Sequence, residues 1–115
     1  LLEKRCLVPM TAYLEWRKTD DGSKRKNRIS MADGQPAAFA GLTDGEAFTI
    51  VTCAPAPAIA HIHNRMPVLL NPDEAAAWGD ADRPFAQISG LLHPCEAPLT
   101  FDEERPPAPA QGELF

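Results

Sequence analysis

Turn-forming pairs and prolines divide this chain into short apolar runs, and that division constrains its fold more than any other feature. Asp-Gly pairs at 21–22, 33–34 and 44–45 separate runs of four to six residues, a length typical of strands rather than helices. A polar hairpin loop is predicted over 18–28. The predicted strands are 7–10, 13–16, 28–31, 37–42, 47–52 and 66–70. We therefore predict an α+β domain of short antiparallel strands with few helices.

One helix has both a start and a stop signal in the sequence. Asn71 suits the N-cap, Pro72 suits the first helical position, and the two acidic residues that follow favour the positive end of the helix dipole. We predict that this helix reaches about Trp78 and that Gly79 ends it. Weaker helical patterns cover 58–63 and 84–91.

Length and cysteine content exclude several classes of protein. The 115 residues suffice for one small domain, and no run of 18 apolar residues predicts a membrane span. The first five residues lack the features of a signal peptide and are typical of the middle of a protein, so we expect a fragment. Three cysteines without a CxxC pair argue against a disulfide framework and against zinc. We expect no metal, no cofactor and a cytoplasmic, nucleoid-associated protein.

Charge is divided unevenly along the chain. Residues 1–30 contain eight Lys or Arg and four acids, whereas the remaining residues contain three Arg and twelve acids, which gives net charges of +4 and −9. This asymmetry indicates a polyanionic partner for the N-terminal part. The alternative is a basic loop that is simply solvated.

Two segments carry residue types suited to chemistry. Glu15 lies between Leu14 and Trp16, and on a strand its side chain points away from theirs, which suits general acid–base work. An ordinary exposed strand glutamate is the alternative. His63 can transfer protons near neutral pH, and Arg65 can grip a phosphate. A capping or core-edge histidine is the alternative for His63, and both His61 and His93 are interpreted as structural or surface residues.

Five short motifs, in order, resemble the SRAP family, the SOS response-associated peptidases. The family pattern contains Arg-Cys-Leu-Ile-Pro, Gly-aromatic-Tyr-Glu-Trp, Phe-Ala-Gly-Leu-Trp, Thr-Ile-Val-Thr-Thr and His-x-Arg-Met-Pro. The counterparts here are residues 5–9, 12–16, 39–42, 49–53 and 63–67. Because five matches in order are far more specific than one, the resemblance is strong. It implies a barrel-like mixed sheet of short antiparallel strands, of which this chain is the C-terminal portion.

The resemblance implies a partner, a reaction and roles for individual residues. Family members act on abasic sites in single-stranded DNA, through an N-terminal cysteine whose amine and thiol form a thiazolidine with the ring-opened sugar. The family's conserved proton-transfer residues fall on Glu15 and His63, whereas Arg65, Thr52, Trp16 and Pro67 fall on or beside its DNA-binding positions.

This chain departs from the family pattern in several places. The N-terminal cysteine and the upstream half of the domain are not in it, and an internal Cys6 cannot replace that cysteine because its nitrogen is an amide. Ala12 and Leu14 replace a glycine and a tyrosine beside the glutamate. Strands of the upstream half would pair with those present, so we expect that half as a partner. A peptidase, as the family name states, and a non-catalytic single-stranded DNA binding module are the alternative functions, and family members are also lyase-like.

The C-terminal part changes composition and carries one further motif. Residues 1–93 are predicted to form the SRAP-like portion, and the Pro-rich, acidic residues 94–115 are predicted to form a tail. Gln111, Leu114 and Phe115 resemble the Gln-x-x-Leu-Phe pattern that binds bacterial sliding clamps, with Leu and Phe entering an apolar pocket. Chance similarity, or docking of these residues onto the protein's own surface, is the alternative.

Overall fold

Nine short strands and two short α-helices make up the part of the chain that the structure, a computed structural model, describes, namely residues 4–106. The strands are β1 Arg5–Met10, β2 Tyr13–Lys18, β3 Lys24–Met31, β4 Ala37–Thr43, β5 Phe48–Ile50, β6 Thr52–Cys53, β7 Met66–Pro67, β8 Leu69–Leu70 and β9 Leu99–Glu103. The α-helices are α1 Pro72–Gly79 and α2 Phe85–Ile88, and 3₁₀ turns cover Pro57–Ile59 and Ser89–Leu91. The predicted α+β class is confirmed.

The described strands form three sheets and do not close into a barrel. One sheet has the order β1-β4-β5 with β8 also paired to β4, the second has the order β2-β3-β9, and β6 pairs with β7. Every one of these pairs is antiparallel. Tyr13 of β2 meets Phe39 of β4 edge to face at 5.8 Å, so the inner face of the second sheet packs against the first. Between them lie buried side chains such as Ile29 and Met66.

Two predicted strands are each interrupted in the middle, and the interruptions are linked. Val51 separates β5 from β6, and Val68 separates β7 from β8. The Val51 N–H donates to the Ala40 carbonyl at 2.9 Å, and the Val68 N–H donates to the Val51 carbonyl at 2.9 Å. The chain therefore leaves one sheet and enters another at these two valines. A pattern of apolar residues does not reveal such a crossing, because apolar residues continue on both sides of each valine.

The hairpin between β2 and β3 is longer than predicted. The predicted loop covered 18–28, whereas β3 begins at Lys24 and the turn occupies only 19–23, with Gly22 at a φ of 84°. Residues 24–28 are polar because β3 exposes one face to solvent, so their composition hid a strand. The same effect explains β9.

Strand β9 lies within residues that the sequence analysis placed in the tail. Residues 99–103 pair with β3, with Leu99 opposite Met31 and Phe101 opposite Ile29. The predicted tail boundary at residue 94 is therefore wrong for this segment, because the backbone of β9 pairs with β3 and extends the second sheet. Residues 107–115, which contain the proposed clamp-binding Gln111, Leu114 and Phe115, lie outside the described residues, and that hypothesis stays a prediction.

The predicted helix from Pro72 to about Trp78 is present, with Gly79 as its last residue, and its tryptophan packs against the first sheet. Asn71 and Glu74 form a reciprocal capping box at its start. The Trp78 ring is buried, and its indole N–H lies 3.0 Å from the Cys6 carbonyl and 3.2 Å from the Gly41 carbonyl. The weaker predictions hold only in part: 58–63 contains the 3₁₀ turn Pro57–Ile59, and 84–91 contains α2 followed by a second 3₁₀ turn.

The end of β9 is fixed to the hairpin by a polar network. Arg17 Nε lies 2.6 Å from Glu103 Oε1, and the buried Asn27 donates its amide to the same oxygen at 3.1 Å. The guanidinium of Arg17 and the amide of Asn27 lower the pKa of the Glu103 carboxyl from 4.5 to about 2.

We expect Glu103→Gln to reduce the acid sensitivity of the fold. A lowered pKa in the folded state contributes stability that is present above pH 4.5 and is lost as the pH falls towards about 2. Chemical denaturation followed between pH 6 and 2 should therefore show a shallower fall for Glu103→Gln. Glu46→Gln is the control, because Glu46 is exposed and its carboxylate accepts no hydrogen bond within residues 4–106. Parallel curves for both variants would contradict the prediction.

Candidate active-site cleft

Glu15 lies near the middle of β2, which forms an edge of the second sheet. Strand alternation turns Tyr13, Glu15 and Arg17 towards the half-buried inner face, whereas Leu14 and its alternate neighbours face solvent. Across the ladder, Glu15 is opposite Asn27, whose side chain is fully buried. The carboxylate thus stands on a rigid strand and remains partly accessible, as general acid–base work requires.

His63 comes from a distant part of the chain and meets Glu15 across a gap. Its Nδ1 lies 3.9 Å from Glu15 Oε2. The same nitrogen is 3.3 Å from both the backbone N–H and the backbone carbonyl of Arg65. A neutral imidazole can accept from that N–H, and a protonated one can donate to the carbonyl or to Glu15. The imidazole can therefore gain or lose a proton at Nδ1 without moving.

Arg65 and Thr52 form a second unit beside this pair. The β6–β7 ladder sets Thr52 opposite Pro67, which brings the threonine to the arginine. Arg65 Nη2 donates to the Thr52 carbonyl at 2.9 Å and to its hydroxyl at 3.2 Å. The guanidinium has five N–H donors, and its side chain is exposed, so donors remain for a phosphate.

An open cleft of about 800 Å³ runs past the Glu15–His63 pair. Its walls are Glu15, Trp16, Lys18, Lys24 and residues 60–64. The structure thus brings together both predicted catalytic residues and Trp16 in the cleft, while Thr52, Arg65 and Pro67 are not part of its lining.

Sequence reasoning missed three titratable residues of this cleft. His61 was interpreted as a structural or surface residue, but it lines the cleft. Its ring packs edge-to-face against Phe101, with 4.9 Å between the ring centroids. Lys18 and Lys24 were assigned to a loop, but they face the cleft from the end of the hairpin. The run of cations from Lys24 to Arg28, interrupted only by Asn27, is the signal that could have revealed the lysines.

Two buried polar atoms lie on β2, which carries Glu15, and on its partner strand β3. The Tyr13 hydroxyl and the Asn27 side-chain oxygen have no hydrogen-bond partner within residues 4–106. Burial, followed by the nearby Glu15 carboxylate, raises the pKa of the Tyr13 phenol. Tyr13 therefore stays neutral and can serve as a hydrogen-bond donor on the inner face.

The cysteines within the described chain do not form a nucleophilic centre with this pair. Burial raises the pKa of the Cys53 thiol and of the Cys95 thiol, which opposes formation of the reactive thiolate. Cys6 lies within β1, so its nitrogen is part of a peptide bond.

Comparison with known proteins gives a consistent family. The family model described as SOS response associated peptidase (SRAP) matches residues 1–103. The abasic site processing protein YoqW of Bacillus subtilis (strain 168) is 32% identical over 109 residues, covering 84% of this chain and 48% of its own length. The abasic site processing protein YMR114C of Saccharomyces cerevisiae is 36% identical over 89 residues, covering 70% and 24%. The chain thus spans at most about half the length of these relatives.

Solved structures agree on the fold. A protein from Bacteroides thetaiotaomicron superimposes with a TM-score of 0.77 at 27% identity, over 90% of this chain and 50% of that one. A protein from Bordetella bronchiseptica, at 24% identity and a TM-score of 0.67, shows the fold alone. Within residues 4–106, the helices are too short to cross a membrane.

Proposed function

The chain belongs to the SOS response associated peptidase family, and on that premise we propose that it provides the proton-transfer part of a site that crosslinks abasic single-stranded DNA. The observation that carries the proposal is the pairing of Glu15 with His63 at 3.9 Å in an open cleft. Relatives named abasic site processing proteins support the substrate class. The other half of the domain would supply the nucleophile.

The proposed chemistry joins an N-terminal cysteine to the ring-opened sugar. The neutral amine attacks the aldehyde carbon, and the resulting carbinolamine loses water to form an imine. The thiol then adds to the imine carbon, its proton passes to the nitrogen, and a thiazolidine results. Glu15 would take a proton from the amine and return it to the departing hydroxyl, while His63 would serve the sugar hydroxyl when the ring opens.

The family description favours a peptidase as the second candidate. A peptidase would need an activated nucleophile, and the raised thiol pKa values of Cys53 and Cys95 oppose that role within the described chain. The crosslinking reaction needs only an amine, a thiol and acid–base help. For this reason it fits the pair better than peptide hydrolysis does.

A denaturing gel tests the proposal directly. The full-length protein is incubated with a single-stranded oligonucleotide containing one abasic site, and with the same oligonucleotide left intact. We expect a slower band that survives denaturant only with the abasic DNA. Absence of that band, or an equal band with intact DNA, would overturn the proposal. Cleavage of a peptide substrate without any DNA adduct would favour the peptidase.

We expect Arg65→Ala to weaken binding of intact single-stranded DNA. Its exposed guanidinium is held by Thr52 beside the cleft, where it would contact one phosphate. Loss of one contact should reduce the slope of log K against log salt by about 0.7. Fluorescence anisotropy at several salt concentrations measures this slope.

Arg83→Ala is the matched control, because Arg83 pairs with Asp80 at 3.3 Å after α1. Thermal melting of both variants checks the fold. Equal slopes for Arg65→Ala and the parent, or a shift confined to melting temperature, would remove Arg65 from the site.

A further inference from the structure

The solvent side of the β2–β3 hairpin concentrates positive charge. Lys18 on β2 and Lys24, Lys26 and Arg28 on β3 alternate with inward residues, so all four point to the same exposed face. We call this set, together with Trp16 between them, the hairpin outer face. The ladder places Lys18 opposite Lys24 and Trp16 opposite Lys26. Trp16 keeps 44% of its surface exposed.

The four cations of the hairpin outer face have no acidic partner in the part of the chain that the structure describes. None of them forms an ion pair among residues 4–106, whereas Arg17 on the opposite face is bound to Glu103. Asp102, which is opposite Arg28 in the ladder, forms no ion pair with it. The turn acid Asp21 accepts hydrogen bonds from Ser23 instead of the lysines.

The pairing of Lys18 with Lys24 does not help the fold. Like charges directly opposite in a sheet are destabilising, and the Trp16 indole leaves 44% of its surface in solvent. Stability alone therefore does not account for this arrangement. A polyanion would relieve the repulsion and match the charge.

The hairpin outer face is continuous with the candidate active site. Lys18, Lys24 and Trp16 line the same cleft as Glu15 and His63. Lys18 lies three positions after Glu15 on β2, roughly 10 Å along the strand and on its other face, so the cleft passes around the free edge of β2. A nucleotide held at the Glu15–His63 pair would thus have its neighbours on one side at the end of the hairpin.

We propose that the hairpin outer face binds the phosphate backbone of the DNA strand that flanks the reacting nucleotide on one side. Successive outward residues on β3 stand about 7 Å apart, so the cations can follow a strand from phosphate to phosphate. Trp16 offers a flat face on which a flanking base can stack. The inference rests on the proposed function for the position of the abasic nucleotide, but the binding surface itself is defined by charge.

The first experiment measures binding of intact single-stranded DNA, so its result is independent of any crosslink. We expect Lys18→Gln, Lys24→Gln, Lys26→Gln and Arg28→Gln together to lower the slope of log K against log salt by about 3, since each single-strand phosphate contact contributes about 0.7. The double variant Lys18→Gln/Lys24→Gln should lower it by about 1.4. The double variant Lys4→Gln/Arg83→Gln removes the same charge elsewhere and should leave the slope close to that of the parent.

The second experiment locates the contact relative to the lesion. Abasic oligonucleotides are made with a long flank on the 5′ side only or on the 3′ side only, and single-turnover crosslinking is measured below saturation. The quadruple variant should slow crosslinking with one of the two and spare the other. Equal slowing with both, or an unchanged salt slope in folded variants, would overturn the inference. If the parent protein formed no crosslink, that result would count against the proposed function. The binding experiment with intact DNA would still test the hairpin outer face.

Discussion

Glu15→Gln in the full-length protein should slow crosslinking of abasic DNA by about 10²–10⁴-fold, the range for loss of one general acid–base group. Glutamine preserves the size of the side chain and an oxygen that can accept a hydrogen bond from the Trp16 N–H, which lies 3.1 Å from Glu15 Oε1. It cannot take a proton from the attacking amine. The change should therefore appear in the rate of adduct formation and not in affinity.

Single-turnover assays with saturating protein separate these quantities. Adduct is counted on denaturing gels over time, and affinity for intact DNA is measured by anisotropy. Glu46→Gln serves as a control for loss of one negative charge on an exposed turn, and it should react like the parent. Glu15→Asp keeps the acid but withdraws it from His63, so we expect an intermediate rate. Unchanged kinetics in Glu15→Gln would remove this residue from the mechanism.

Local signals in the sequence were enough for features whose causes are local. The helix that begins at Pro72 follows from Asn71 as its N-cap, a proline at its first position and a glycine near its end, and the structure has all three. The inward orientation of Glu15 follows from simple strand alternation. Each of these depends on neighbours along the chain, so composition and spacing suffice.

Non-local features could not be derived in the same way. Glu15 and His63 are far apart in sequence, and only the resemblance to a family predicted that they act together. Their contact depends on where the segment between β6 and β7 lies relative to β2, and that placement leaves no periodic signature in the sequence. The charged face of β3 and the strand β9 were missed for another reason. Solvent-facing strands carry polar residues, and their composition is that of a loop or a tail.

The basic N-terminal part shows what strand geometry adds to charge counting. Charge counting alone left two possibilities for this segment, namely binding of a polyanionic partner or a loop that is simply solvated. The structure shows a strand instead of a loop at 24–28, with Lys24, Lys26 and Arg28 on the exposed face and Arg25 on the other. It also shows that Arg17, on the other face, is engaged by Glu103. Sorting by strand alternation separates cations that support the fold from those that remain available for a ligand.

His63→Ala should likewise change the crosslinking rate by about 10²–10⁴-fold, while intact DNA binds as before. His63 contacts the chain through Nδ1 alone among the hydrogen bonds of residues 4–106, so its ring holds little of the fold in place. Arg65 keeps its bonds to Thr52 when the imidazole is removed, which is why binding should persist. Rates of adduct formation and of adduct reversal are both measured, because the same proton transfers operate in each direction.

The double variant Glu15→Gln/His63→Ala tests whether the two side chains act as a unit. Groups that share one proton-transfer task lose far less together than the product of their separate losses, because either deletion already disables the step. The 3.9 Å separation between Nδ1 and Oε2 predicts this behaviour. His61→Ala is the control, since His61 lines the same cleft but packs on Phe101. Strictly multiplicative losses for Glu15 and His63 would mean that the two groups contribute independently to one transition state, which would contradict both a shared proton-transfer task and action at successive steps.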